Sequence, residues 1–166
     1  MYRQTEPELA AYIPGAIGRI AELHARHYSE EWDFGLYFEA KVASELAAFL
    51  QRFDAARDGF WTLTQDGRVE GSIALDASDV AGKGAHLRWF ILSEDLRGQG
   101  WGRRLLGLAL DLCRQRGYDR AYLWTFRGLD AARHLYEAAG FRLVEELEAE
   151  QWGKRVLEQR YELRFK

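Results

Sequence analysis

One stretch near the middle of this chain limits the folds open to it more than any other. The apolar run Leu87–Leu92 is followed by Arg97-Gly98-Gln99-Gly100-Trp101-Gly102-Arg103-Arg104, and an amphipathic segment of helical period leaves it. Three glycines at alternate positions permit backbone angles and close approaches that a Cβ would block. The residues after them start a helix, whose free N–H groups and positive dipole end suit an anion. A strand, a glycine turn and a helix N-terminus together form a phosphate-holding shape.

The rest of the chain arranges itself around that turn. Residues 1–7 are expected to be a loose lead-in. Leu9–Ile13 suits a short strand before Pro14-Gly15, and Ile17, Ile20, Ala21, Leu23 and His24 fit a first helix to about Tyr28. Ser29–Gly35 breaks that pattern. Phe38, Val42, Leu46, Phe49 and Leu50 line one side of a second helix ending near Arg52. After Asp58-Gly59 the period drops to two: Phe60–Thr64, an Asp66-Gly67 turn and Val69–Leu75 make a hairpin. Ala85–Leu92 is a central strand, and Gly117 stops the helix that follows the glycine turn. Arg120–Phe126 is the next strand. Asp130 is placed to cap a helix over Ala131–Ala139 that Gly140 ends, and Phe141–Leu147 and Val156–Leu163 close the chain as strands. The sum is a mixed α/β chain: strand, two helices, three strands, helix, strand, helix, two strands. The helix between the third of the middle strands and the next implies a right-handed parallel crossover.

With 166 residues, 48% apolar and 30% charged, the chain fits one ordered domain over residues 1–166. Its net charge of −3 gives no reason to expect nucleic acid as a partner. No apolar run reaches the ~18 residues of a membrane span, and Met1–Glu6 lacks the apolar core of a signal peptide. The lone Cys113 falls on an apolar helix face and fits a buried thiol, so a cytoplasmic location is expected.

Arg97-x-x-Gly100-x-Gly102, between strand and helix, resembles the acyl-CoA-binding signature of the GCN5-related N-acetyltransferase (GNAT) superfamily. Ala132-Arg133-His134-Leu135-Tyr136-Glu137-Ala138-Ala139-Gly140-Phe141 resembles that superfamily's A-x-x-L-Y-x-x-x-G-F helix, at the usual separation. The likeness covers nearly the whole chain. Tyr12–Gly15, His24–Tyr28 and Leu123–Thr125 are also similar to the acetyltransferase half of proteins fused to a MarR-type winged-helix regulator. No helix-turn-helix stretch is left over here, so a free-standing relative is expected.

The resemblance implies a GNAT fold binding acetyl-CoA as donor, and transfer of its acetyl group to a primary amine by direct attack in a ternary complex. It assigns the pyrophosphate to the backbone amides of Arg97, Gly98, Gln99, Gly100, Trp101 and Gly102, with Arg103 following, and Arg133 is a further cofactor-binding candidate. It assigns the pantetheine arm to the strand at Phe90, Ile91 and Leu92, which would splay from Ala121–Thr125 to open a slot. Tyr136 matches the tyrosine beside the thioester sulfur, where a phenol can protonate the departing thiolate.

The pattern departs from the family at one place. Many members carry a glutamate midway along the strand before the loop, where this chain has Leu87-Arg88-Trp89. Glu30, Glu31 and Asp33 are the substitutes the sequence offers, with Glu31 as the candidate general base. His24 and His27 lack partner ligands for a metal, and no metal is expected; both fit surface or packing roles, as His86 could. Trp61, Trp89, Trp124 and Phe126 are core by default, with one or two free to line an acceptor pocket. The competing class is a non-catalytic acyl-CoA-binding or regulatory module, which the missing acid favours and Tyr136 opposes. A P-loop nucleotide binder fails because no Gly-Lys-Ser/Thr follows the turn. Neither the amine acceptor nor dimerisation is decided by the residues.

Overall fold

The computed structural model describes residues 4–166. Part of the lead-in expected at 1–7 lies outside them, while Thr5 is tied down. Its carbonyl accepts from Gln65 Nε2 at 2.8 Å, and its hydroxyl donates to Asp66 at 2.7 Å.

The elements follow the expected order: β1 (Glu8–Ala10), α1 (Ala16–Trp32), α2 (Leu36–Gln51), β2 (Gly59–Gln65), β3 (Arg68–Asp76), β4 (Ala85–Leu92), α3 (Trp101–Arg116), β5 (Arg120–Phe126), α4 (Asp130–Ala138), β6 (Arg142–Ala149) and β7 (Val156–Arg164). A single 3₁₀ turn, Glu94–Leu96, joins β4 to the glycine loop. The strands form one sheet in the order β1-β2-β3-β4-β5-β7-β6, antiparallel except for the parallel β4–β5 pair. At the β2–β3 turn Asp66 and Gly67 both have positive φ, 53° and 76°, the twist a two-residue hairpin needs.

Each face of the sheet buries its own core. Ile73, Leu75, Leu87, Leu123 and Tyr161 pack with α3 and with Tyr136 of α4 on one side. Ala74, Trp89 and Phe126 pack with Ile20, Phe38, Leu46 and Phe49 of α1 and α2 on the other. Cys113 is buried in the first, and burial pushes its thiol up to about 12.

Two local expectations are corrected. α1 runs one turn past Tyr28, because Tyr28 and Trp32 continue its apolar side onto Phe126, at 5.9 and 4.9 Å between ring centroids. Glu30 and Glu31 therefore sit on helix, and the break falls at Asp33, whose φ of 59° ends it. Asp130 belongs to the first turn of α4; Leu129 occupies the cap position, and no side chain caps the helix. Among the described residues no helix is long and apolar enough to cross a membrane.

Candidate functional site

β4 and β5 are paired only at their starts, Ala85 with Ala121 and His86 with Tyr122. Beyond that they part, and the sheet opens as a V toward Leu92 and Phe126. A bulge in β4 helps to open it. Ser72 of β3 lies opposite Ile91 and Ala74 opposite Arg88, so Trp89 and Phe90 together face the single residue Ile73. Trp89 pays a backbone cost there, with φ at 46°, and the Ser72 hydroxyl donates to its carbonyl at 2.6 Å. Its ring is buried beside Phe49, with the Arg88 guanidinium 4.1 Å above it.

The glycine loop closes one end of the V. Gly98 and Gly100 have φ of 74° and 86°, and Gly100 is the left-handed residue that starts α3. No acidic residue stands in the first turn of α3 and no side chain caps it, so its N–H groups and dipole are unopposed. A Cβ on Gly100 would meet no atom of the protein within 4 Å, which leaves that space to a ligand. Arg97 braces the loop: its guanidinium donates twice to the Leu92 carbonyl, at 3.1 and 3.3 Å, and to His27 Nδ1 at 3.3 Å.

A cleft of about 810 Å³ runs from this loop through the V. It is lined by Phe90, Ile91, Leu92, Arg97, Gly98, Gly100, Gly102 and Arg103 among the residues expected to hold a cofactor. Gln99, Trp101 and Arg133 do not line it. The Gln99 amide turns back to the Asp95 carbonyl at 2.8 Å, Trp101 stacks under Arg104, and Arg133 faces Glu137 at 3.9 Å.

Tyr136 lines the cleft from α4, 8% exposed, with its ring 6.2 Å from Phe90. Burial pushes its phenol well above the ordinary value, so the hydroxyl keeps its proton and can donate it. Glu31 also lines the cleft but is exposed, while Glu30 and Asp33 do not line it. Glu45 of α2 also lines the cleft, held by Lys41 at 2.9 Å and Arg88 at 2.6 Å. Arg88 thus occupies the middle of β4 as a cation whose charge is answered by Glu45 and, at 3.8 Å, Asp76.

α1 crosses the mouth of the V. Near its start Arg19 bonds the Val69 carbonyl and Glu70, whose own carbonyl takes the N–H of Ser93 beyond β4. At its end Trp32 sits on Phe126. His24, His27, Tyr28 and Glu31, spaced three, four and seven apart, form the stripe that faces the cleft. Burial lowers the imidazole of His24 to about 4, and burial raises the phenol of Tyr28 to about 12. The sequence carries that spacing plainly, yet a histidine at helical period is no different on paper from a packing one. The far wall joins the α1–α2 turn to the β6–β7 turn: Lys154 donates to the Trp32 carbonyl at 2.8 Å, and Gln151 and Trp152 line the cleft beside Phe126. Among the described residues no group of three or more His, Cys, Asp or Glu side chains is placed to hold a metal ion.

Known proteins share both sequence and architecture with this chain. The family model for acetyltransferases of the GNAT family matches residues 18–141. "Probable N-acetyltransferase camello" of Xenopus tropicalis is 32% identical over 83 residues, which cover 50% of this chain and 38% of that protein. The Xenopus laevis protein of the same name is 34% identical over the same share. The match thus spans little more than a third of these relatives' own length. A GNAT-family acetyltransferase from Staphylococcus aureus Mu50 superposes with a TM-score of 0.77 at 17% identity, over 97% of this chain and 100% of its own. Salmonella typhimurium yncA, solved with its cofactor acetyl-CoA, superposes at 0.70 and 13% identity, over 96% of this chain and 94% of its own.

Proposed function

The chain belongs to the acetyltransferase (GNAT) family, and from that premise we propose that it transfers the acetyl group of acetyl-CoA to a primary amine of a small molecule or peptide, by direct attack with both substrates bound. One observation carries this reading. The anion-ready start of α3, the V between β4 and β5, and the buried Tyr136 hydroxyl are successive parts of one continuous cleft.

The residues fit acetyl-CoA in their chemistry. The N–H groups at Gly98–Gly102, with Arg97 and Arg103, suit its pyrophosphate, and Phe90–Leu92 offer strand edge and apolar surface to its arm. Acetyl-CoA would supply the activated thioester. Tyr136, protonated at neutral pH, would give its proton to the departing sulfur. Trp32, Phe126 and Trp152 line the acceptor side of the cleft with aromatic surface. The finer likeness, to the acetyltransferase half of winged-helix regulator fusions, belongs to this proposal. So does a cytoplasmic location, which the single buried thiol of Cys113 supports.

The second reading, a binding module without catalysis, draws on Arg88 standing where a family carboxylate is usual. A thiol-release assay with acetyl-CoA and a panel of small amines, polyamines and peptides separates the two. Turnover is expected, with Tyr136→Phe lowering kcat ~10²-fold at unchanged acetyl-CoA affinity. Acetyl-CoA binding with no turnover on any amine would favour the module.

A further inference from the structure

Amine attack needs a proton acceptor on the side of the V opposite Tyr136, and the strand that usually supplies one does not. Four titratable groups of the cleft are poor substitutes. Glu31 is exposed. Glu45 already answers two cations. His86 lies at the closed end of the V, stacked at 4.4 Å on Tyr122, with Arg88 beside it. His27 accepts from Arg97 through Nδ1, so its proton is on Nε2 and no lone pair faces the cleft.

His24 is arranged the other way round. Its Nδ1 faces the Ile20 carbonyl at 2.8 Å, and since a carbonyl can only accept, Nδ1 carries the proton. Nε2 is left with a lone pair and has no hydrogen-bond partner among the described residues, and His24 is one of the residues that line the cleft. His24 is 6% exposed and sits on the helix that bridges the open ends of β4 and β5.

We infer that His24 Nε2 is the general base that takes the proton of the acceptor amine, in place of the carboxylate that β4 lacks. The inference rests on the acetyl-transfer reading above. As the neutral amine nitrogen forms its bond to the acetyl carbon, Nε2 accepts the proton that the nitrogen sheds. Tyr136 gives its own proton to the sulfur as the carbon–sulfur bond breaks. The proton on His24 then returns to the Tyr136 phenolate through the water of the cleft, so the protein ends as it began. Burial leaves the imidazole unprotonated at neutral pH and makes it a weak base, which suffices because the amine nitrogen becomes strongly acidic once bonded to the acetyl carbon.

The test uses His24→Asn, whose amide can keep the bond to the Ile20 carbonyl while removing Nε2. With the amine that gives wild-type enzyme its fastest thiol release, kcat should fall ~10²-fold while acetyl-CoA affinity stays within about two-fold. His24→Ala should fall as far and regain rate with added imidazole. A His24→Asn rate within about three-fold of wild type would overturn the role of His24 and leave acetyl transfer standing. Wild-type protein that releases no thiol with any amine would instead overturn acetyl transfer, and this inference with it. Nitrogen-15 NMR of the imidazole gives a readout that needs no acceptor: the Nδ1–H form is expected at pH 7, and an Nε2–H form would overturn the assignment.

Discussion

Trp89 is the residue at which the site and the sequence part company. A left-handed backbone is normally announced by glycine or asparagine, and here it is taken by a buried tryptophan at a bulge. The apolar run within Ala85–Leu92 predicts a central strand, and the bulge leaves no mark on it, because what enforces it comes from the neighbouring strand: the Ser72 hydroxyl, fully buried, holding the Trp89 carbonyl. Ser72→Ala removes the donor and leaves a buried carbonyl unpaired, which should cost about 1–2 kcal/mol in urea unfolding. It should also weaken acetyl-CoA binding, because the bulge shapes the V. Unchanged stability would mean that another group satisfies the carbonyl. His24 illustrates a different limit. Its position on the inner face of a helix is legible, but its tautomer depends on the Ile20 carbonyl one turn earlier, and its role on a cleft that only the assembled sheet creates.

At the scale of elements the sequence was a far better guide. The Ala85–Leu92 and Arg120–Phe126 strands and the Asp66-Gly67 hairpin lie where apolar period and turn chemistry place them. The glycine loop is legible for the same reason, since a left-handed helix start needs a residue without Cβ. The side chains are less so: Gln99 and Trp101 of the loop and Arg133 of α4 belong to the matching motifs but do not line the cleft. Helix ends are not legible where aromatic packing outweighs local composition, as at the last turn of α1. The loop makes a separable prediction. Gly100→Ala forces a Cβ into φ of 86°, which should cost about 1–2 kcal/mol. The added methyl meets no protein atom, so any larger loss should appear in acetyl-CoA affinity, read by calorimetry against the thermal melt. An affinity equal to wild type would show that no ligand occupies the space beside the loop.

For the molecule as a whole, the cleft sets a dependence of stability on pH. Burial lowers His24 to about 4. Burial, aided by Arg88, lowers His86 to about 3. Burial and Arg97 lower His27 as well. A histidine depressed in the folded state binds fewer protons than in the unfolded chain between its two values. Its contribution is therefore complete above the unfolded value of ~6.5 and is lost as pH falls toward 4 and 3. Two such groups make the unfolding free energy drop by roughly 2–3 kcal/mol per pH unit between about pH 6 and 5. Asp76 continues the loss at lower pH. Its burial opposes ionisation, yet hydrogen bonds from Arg52 and Ser78 hold it at about 2, so its share disappears as pH falls from ~4 toward 2. Urea unfolding at half-unit steps from pH 7 to 4.5 measures the slope. His24→Asn should remove about one proton's worth of it, and a variant with the wild-type slope would place His24 in contact with water rather than in the wall of the cleft. The same burial that makes the fold acid-sensitive keeps the Nε2 lone pair free at neutral pH, so slope and catalysis should fail together in that variant if one imidazole governs both.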